Sequence, residues 1–305
     1  MTVVASQPFQ YTAPYKHLST RYDASHGALW CILDPKHRPC FSFEVLEELR
    51  RFQREVELLA EKSDGEREKV RYVILSSRTP GVFNFGGDLS LFARCVKETD
   101  ADTLRKYARA CIDVLYPHAV GFHLPVTTIS LVQGDALGGG FEAALASDVV
   151  IAERSTQMGF PEVLFNLFPG MGAYNLLHRR IGMSRTERMI LSGKVYRAEE
   201  LHAEGLVDIL ADDGCGESTL YEYIVRQNGR NRSTEAIHRV RRRLCPVRYE
   251  QLLEVAEIWV DTALRIGPRE MRLMEKLTRA QERLPSGRSQ PIARAPSGNG
   301  GVPPL

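Results

Sequence analysis

Two glycine-rich segments stand out because each follows a run of residues typical of a β-strand. One reads VFNFGGD and covers residues 82–88, and the other reads GDALGGGFE and covers residues 134–142. Glycines let the backbone turn sharply and let a ligand approach the N–H groups. The N–H groups at the start of a helix have no partner inside the helix and lie at the positive end of its dipole. Two such loops side by side could aim two N–H donors at one oxygen atom, which would make an oxyanion hole.

The same glycines have two simpler interpretations. They could only make tight turns, or the triplet at residues 138–140 could hold a phosphate group at a helix start. The segment is not a Walker phosphate loop, since no GK[ST] follows it, and it does not fit the GxGxxG of dinucleotide-binding proteins.

Two glutamates lie in apolar, glycine-rich surroundings. Glu142 is part of GGGFEAAL, and Glu162 is part of GFPEVLF. A lone glutamate is far more often a solvated surface group, but burial raises the pKa of a carboxyl group and suits it to acid–base catalysis. The sequence therefore offers two acid–base candidates together with two candidate oxyanion loops.

The composition is that of an ordinary globular protein. Of the 305 residues, 43% are apolar and 26% are charged, and the net charge is +2. This excludes disorder of the whole chain and a collagen-like fibre, and so balanced a charge does not demand nucleic acid as a partner. No apolar run approaches the ~18 residues of a membrane span. No secretory signal is recognised, no cysteine pair has CxxC spacing, and we expect a cytoplasmic protein with reduced thiols and no metal site.

The apolar pattern alternates between strands and helices over the first two thirds of the chain, which favours an α/β fold. Strands are predicted at residues 27–34, 69–77, 126–135 (a strand that enters a turn), 148–153 and 207–211, and helices at residues 44–62, 101–116 and 138–147. From about residue 217 the pattern is helical only, and Gly267-Pro268 separates two helices. We predict an N-terminal arm (1–20), an α/β core (21–216), a helical C-terminal region (217–285) and a disordered tail rich in Pro, Gly and Ser (286–305).

Several longer stretches carry a family resemblance that runs in order from about residue 25 to residue 285. The stretches GDALGGGFEAALASDVVIAE, MGFPEVLFNLFPGMGA and LSGKVYRAEELHAEGLVD resemble the crotonase (enoyl-CoA hydratase/isomerase) superfamily. Within it, FNFGGDLSLF, GGGFEAAL, PEVLFNLFPGMGAY and EIWVDTA are most similar to the diffusible signal factor synthases. Those enzymes make cis-2-unsaturated fatty acids for bacterial cell–cell signalling.

The resemblance implies a spiral of repeated ββα units with a helical C-terminal region for oligomerisation, and a homotrimer or hexamer. It assigns the backbone N–H groups of Gly87 and Gly139 as oxyanion donors, Glu142 and Glu162 as acid and base, and Leu137, Met171 and Trp259 as pocket lining. For the last three residues, a place in the plain hydrophobic core is the alternative.

The implied function is a quorum-sensing signal synthase. It would dehydrate a 3-hydroxyacyl thioester carried on acyl carrier protein or CoA, and then hydrolyse the thioester, with no metal or redox cofactor. One alternative is an enoyl-CoA hydratase/isomerase of fatty-acid metabolism. Another is a non-catalytic regulator that binds a signalling partner such as a sensor kinase. No nucleic acid and no membrane span are expected in any of these cases.

Four further features have weaker interpretations. Asp88 is predicted to cap the following helix, and His178 to lie on the surface. The basic run at residues 238–243 is either a solvated helix face or a docking patch for an acidic carrier protein or for phosphates. The turn at residues 36–38 lies where crotonases often meet the CoA end of the substrate.

Overall fold

The computed structural model describes residues 14–62, 70–228 and 231–282. The strands in these ranges are β1 (Leu18–Asp23), β2 (Ala28–Leu33), β3 (Tyr72–Ser77), β4 (Val82–Asn84), β5 (Thr127–Val132), β6 (Asp135–Leu137), β7 (Val149–Glu153), β8 (Gln157–Gly159), β9 (Val195–Arg197) and β10 (Ile209–Ala211). The helices are α1 (Phe43–Lys62), α2 (Leu89–Glu98), α3 (Ala101–Ala119), α4 (Gly139–Leu145), α5 (Ala173–Ile181), α6 (Met183–Ser192), α7 (Ala198–Ala203), α8 (Gly216–Asn228), α9 (Asn231–Leu244), α10 (Tyr249–Ala263) and α11 (Pro268–Glu282).

The strands form two sheets. The larger has the order β1-β2-β3-β5-β7-β10, with only β1 antiparallel to its neighbour, and the smaller has the order β4-β6-β8-β9. The central strands β5 and β7 are buried along their whole length, as expected where helices cover both faces of a parallel sheet. One face packs against α1 and α3, and the other against α8.

The chain moves repeatedly from the larger sheet to the smaller one and then into a helix. The units are β3-β4-α2, β5-β6-α4, and β7-β8 followed by the short 3-10 helix Pro161–Phe165. This is the predicted spiral of ββα units, and the predicted helical C-terminal region is also present. Because β4, β6 and β8 are parallel neighbours, the segments that leave their carboxyl ends emerge at one edge of the smaller sheet. Those segments hold the two glycine loops and Glu162.

The predicted strand at residues 126–135, which enters a turn at its end, is found as β5 followed by a turn, and the chain then enters the smaller sheet as β6. One predicted boundary is wrong. The predicted arm at residues 1–20 overlaps β1, which starts at Leu18 and pairs with β2 along its whole length. β1 has the sequence LSTRYD, and so polar an edge strand lacks the apolar alternation that predicts strands. Residues 1–13 and the predicted tail at residues 286–305 lie outside the described residues.

None of the helices in the described ranges combines the length and the apolar character that a membrane crossing requires.

The basic run at residues 238–243 is neither wholly solvated nor wholly free for docking. Arg241 and Arg242 turn inward from α9 and bind the carboxylate of Asp148, which is 3% exposed and also accepts from the N–H of Thr128. Burial acts to raise the pKa of Asp148, but the charges of Arg242 and His238 and the hydrogen bonds hold this pKa below its usual value. The ion cluster therefore fastens α9 to the start of β7.

We predict that Asp148→Asn destabilises the protein by ~3 kcal/mol, because it leaves the inward-facing Arg242 without its partner in a poorly solvated place. The measurement is guanidinium unfolding at neutral pH. Asp212→Asn is the matched control, since Asp212 is 78% exposed on the side chain and pairs with Arg154 at the surface. That control should cost less than ~1 kcal/mol. Equal losses of unfolding free energy in the two variants would show that the ion cluster does not fasten α9 to β7.

Candidate active site

The start of α4 is the centre of the site. Gly138 has a φ of +53°, which turns the end of β6 into the helix and which residues with a side chain rarely adopt. Its N–H donates to the carbonyl of Gly159 in β8 at 2.9 Å. All of α4 is buried, and Phe141 stacks on Phe160 with ring centres 5.0 Å apart. The helix is thus fixed to the segment that carries Glu162.

The Glu142 carboxylate is buried against the beginning of α5. The residue is 1% exposed, and its Oε1 accepts hydrogen bonds from the N–H groups of Met171 and Ala173, both at 2.8 Å. Burial raises the pKa of Glu142 to about 7, while the N–H groups of Ala173, Met171 and Gly172 act to lower it. The φ of +118° at Gly172 shapes this loop so that its donors converge on one oxygen.

The Glu162 carboxyl lies over the start of α4. The residue as a whole is partly exposed, but its Oε2 is closed off from solvent and has no hydrogen-bond partner among the described residues. A Cβ atom at Gly138 would overlap the Oε1 of Glu162. Burial, and then the charge of Glu142, raise the pKa of Glu162 to about 8. The protonated form of Glu162 is therefore favoured at neutral pH.

The two glycine loops are in direct contact. A Cβ atom at Gly86 would lie 2.7 Å from the nitrogen of Gly139, and one at Gly140 would overlap the carbonyl of Asn84. The Oδ1 of Asn84 accepts from the N–H of Gly86 at 2.7 Å, which fixes the loop after β4. Within the described residues, the hydrogen bonds leave the N–H groups of Gly87 and Gly139 without an acceptor. The structure therefore places two unsatisfied donors on adjoining segments, as an oxyanion hole requires.

The predicted pocket residues play different parts. Met171 touches the site directly, since its Sδ lies 2.7 Å from the position of a Cβ at Gly139. Leu137 is the residue before Gly138 and is 8% exposed. Trp259 lies further back on α10, where it packs against Gly170 and meets the ring of Phe92 at 4.9 Å between centroids. Trp259 thus supports the loop that holds Met171, and this loop lies between Trp259 and the glutamates.

A narrow, mostly apolar cavity of about 30 Å³ leads away from Met171 and Ala143 into the space under α1 and α3. Its other walls include Cys31, Phe41, Leu49, Phe52, Leu75, Leu115 and Phe122. Gln53 and His118 are its polar members, and burial lowers the pKa of His118 to about 4. A larger open groove of about 810 Å³ beside β10 has none of the site residues in its walls.

Three weaker predictions can be placed. Asp88 caps α2 as predicted, since its Oδ1 accepts from the N–H groups of Ser90 and Leu91. Arg38 donates to the same carboxylate at 3.0 Å, which brings the turn at residues 36–38 beside the loop of Gly87. His178 is exposed, as predicted. Phe92 packs against Gly87. Its role at the site could not be predicted from the sequence, where it is one residue of the apolar face of α2.

Residues 35–225 match the family model described as enoyl-CoA hydratase/isomerase, which is more than half of the chain. The chain therefore belongs to this family, within the crotonase superfamily. Mitochondrial methylglutaconyl-CoA hydratase from Mus musculus is 37% identical over 146 residues, which are 48% of this chain and 43% of that protein. The human protein of the same name is also 37% identical, over 40% of its length. The chain thus spans less than half the length of these curated relatives.

Solved structures show the same fold. An enoyl-CoA hydratase from Bacillus halodurans has a TM-score of 0.70 and 21% identity, over 86% of this chain and 100% of that chain. DspI from Pseudomonas aeruginosa has a TM-score of 0.66 and 22% identity, over 84% of this chain and 91% of that chain.

We predict that Gly138→Ala removes most of the turnover of an acyl thioester, because the new methyl group displaces the Glu162 carboxyl and strains a positive φ. The measurement is kcat/KM beside the melting temperature. Gly205→Ala separates the two effects, since Gly205 has a φ of +77° and a Cβ placed there would meet nothing within 4 Å. Gly205→Ala should lower the free energy of unfolding by about 1 kcal/mol and leave the turnover unchanged. Similar turnover in both variants would show that the contact with Glu162 is unimportant.

We predict that Glu162→Gln becomes more stable than the wild type as pH rises. The folded-state pKa of Glu162 is raised from 4.5 to about 8, so ionisation costs stability progressively over that range, and glutamine avoids the cost. Melting temperatures should be equal near pH 4.5 and differ by several degrees above pH 8. The same substitution at exposed Glu254 should change nothing. A constant difference at every pH would contradict the burial of this carboxyl.

Proposed function

We propose that this chain dehydrates a 3-hydroxyacyl thioester and then hydrolyses the thioester to release a cis-2-unsaturated fatty acid. The observation that carries the proposal is the pair Glu142 and Glu162, two desolvated carboxyl groups beside the unsatisfied N–H groups of Gly87 and Gly139. This set supplies a base, an acid and an oxyanion site in one place.

The elimination step uses all three elements. When the C2 proton leaves, negative charge develops on the thioester oxygen, and two N–H donors already aimed at that oxygen stabilise the transition state. The electron pair then forms the C2–C3 double bond while the C3 hydroxyl leaves as water after protonation. The ionised carboxyl of the pair takes the C2 proton, and the protonated carboxyl gives one to the hydroxyl.

The environment of the pair keeps one proton available. Glu142 accepts two short hydrogen bonds that favour its ionised form, whereas Glu162 has an oxygen without a partner among the described residues and feels the charge of Glu142. At neutral pH, the proton of a singly protonated pair therefore lies mainly on Glu162. The two groups titrate as one coupled unit, so catalysis should need the singly protonated pair.

Hydrolysis would reuse the same residues. An ionised carboxyl takes a proton from water, the resulting hydroxide attacks the thioester carbon, and the oxyanion lies between Gly87 and Gly139. The C–S bond then breaks, and the thiol of the carrier leaves with a proton from the pair. Acyl carrier protein or CoA would supply that thiol.

Three features support the finer assignment. The apolar walls beyond Met171 are ones that a fatty acyl tail would contact, although the cavity of about 30 Å³ must widen to hold one. The motif FNFGGDLSLF, which resembles the diffusible signal factor synthases, favours a signal synthase. Ile237, Val240 and Leu244 expose an apolar stripe on one side of α9, which favours assembly with further copies, as in the trimers or hexamers that the resemblance implies.

A second candidate is hydration of a trans-2-enoyl-CoA. It is favoured by the 37% identity to methylglutaconyl-CoA hydratase over 146 residues. The same pair of carboxyls would add water across the double bond. A solely partner-binding role, for example toward a sensor kinase, fits less well, because two desolvated carboxyls cost stability that binding alone does not repay.

We predict that Glu142→Gln and Glu162→Gln each fold normally and lose at least ~10²-fold in formation of cis-2-enoic acid from 3-hydroxyacyl carrier protein. Glutamine keeps the volume and removes proton exchange. Products are quantified by mass spectrometry, folding is checked by circular dichroism, and Glu254→Gln is the control. Wild-type rates in either variant would remove that glutamate from the mechanism. An exclusively trans thioester product from the wild type would favour the hydratase.

A further inference from the structure

The hydroxyl of Tyr107 joins the two chain segments on either side of the Gly87 loop. Tyr107 belongs to α3 and is 2% exposed. Its hydroxyl donates to the carbonyl of Phe41 at 2.5 Å and accepts from the N–H of Asp88 at 3.1 Å. One buried oxygen atom therefore links the segment before α1 to the residue that follows Gly87.

The peptide group that contains the Gly87 N–H is held from its other end. Its carbonyl, that of Gly86, accepts from the N–H of Phe41 at 2.8 Å. In a trans peptide the C=O and N–H bonds point in opposite directions, so this bond turns the N–H of Gly87 away from Phe41. The next peptide group carries the N–H of Asp88, which Tyr107 binds. Phe41 and Gly87 also form an isolated parallel bridge, so the peptide planes around Gly87 are held by the Phe41 segment and, at Asp88, by the Tyr107 hydroxyl.

The ring of Tyr107 makes packing contacts that do not involve its hydroxyl. It meets the rings of Phe43 and Phe92 edge-on, with centroids 5.3 and 5.2 Å apart. Phe92 also closes one side of Gly87, since its Cζ lies 2.5 Å from the position of a Cβ there. Glycine has the greatest backbone freedom of any residue, so Gly87 depends on such external bonds to keep one orientation.

We propose that Tyr107 is a positioning residue for the oxyanion hole. Its hydroxyl fixes the Asp88 peptide, and through it the direction in which Gly87 offers its N–H to the thioester oxygen. The proposal rests on the proposed function in that a thioester oxygen must occupy this place. Tyr107 acts through Gly87 and exchanges no proton with the substrate.

The test is the carbonyl stretch of a bound thioester in Tyr107→Phe. Phenylalanine keeps the ring contacts and removes only the hydroxyl. Decanoyl-CoA labelled with ¹³C at the carbonyl cannot eliminate water, and its isotope-edited infrared band, recorded by rapid mixing before the thioester is hydrolysed, should move to lower wavenumber when bound to the wild type. In Tyr107→Phe this shift should fall by at least half, and kcat should fall ~10–100-fold with KM little changed. Tyr249→Phe, which loses a hydroxyl bonded to Asp113 at 2.6 Å, should behave as wild type.

The outcomes separate this proposal from the proposed function. A full carbonyl shift with normal kcat in Tyr107→Phe would overturn the role of Tyr107, even if the variant melts at a lower temperature. A wild type that binds decanoyl-CoA without any shift would overturn the thioester site itself, and the role of Tyr107 with it. Para-aminophenylalanine at position 107 restores a hydrogen-bonding group and should recover part of the shift. A folded variant of this kind with no recovery would also count against the proposal.

Discussion

Two carboxyl groups lie close enough for the charge of one to raise the pKa of the other, in a place where little water reaches either. Under this constraint both cannot be ionised at neutral pH without a large cost, so the pair keeps a proton. Glu142 is the more easily ionised of the two, because N–H groups at the beginning of α5 stabilise its charged form. Glu162 has one oxygen without a partner among the described residues, and its pKa is the higher. The other features of the site follow from bringing these two groups to one helix start.

Close approach is what requires the glycines. Gly138 leaves room for the carboxyl of Glu162, Gly139 for the thioether of Met171, and Gly140 for the carbonyl of Asn84. The smaller sheet fixes this geometry, because the three segments follow parallel strands and emerge at one edge of the sheet. The cost of desolvating the carboxyls is offset elsewhere, in the fully buried strands of the larger sheet and in the apolar faces of α1 and α3.

The candidate site was predictable from the sequence because its motifs are local. Glycine triplets, a glutamate among apolar residues and a helix start are each visible within about ten consecutive residues, and the structure brings the two glycine loops into contact and the Glu162 carboxyl over Gly138. The short strands of the smaller sheet were not predictable, since β4, β6 and β8 have three residues each, too few to show an apolar alternation. β1 was also missed, because an edge strand needs little apolar character.

Long-range contacts account for the remaining gaps. The inward turn of Arg241 and Arg242 depends on Asp148, which is about ninety residues earlier in the chain. Tyr107 reads from the sequence as an ordinary aromatic residue on an apolar helix face, and only the fold brings its hydroxyl between Phe41 and Asp88. The order of the two glutamate pKa values likewise depends on which carboxyl receives N–H donors from a distant loop.

The shared proton can be observed directly by ¹³C NMR of protein labelled at the glutamate side-chain carboxyl carbons. Spectra of Glu142→Gln and Glu162→Gln assign the two signals in the wild type, which is then titrated. We expect one buried carboxyl to remain protonated at neutral pH and the pair to titrate near pH 7 and 8, far above the other glutamates. Two signals that both titrate near the ordinary glutamate pKa of 4.5 would show that each carboxyl is solvated and would contradict the account.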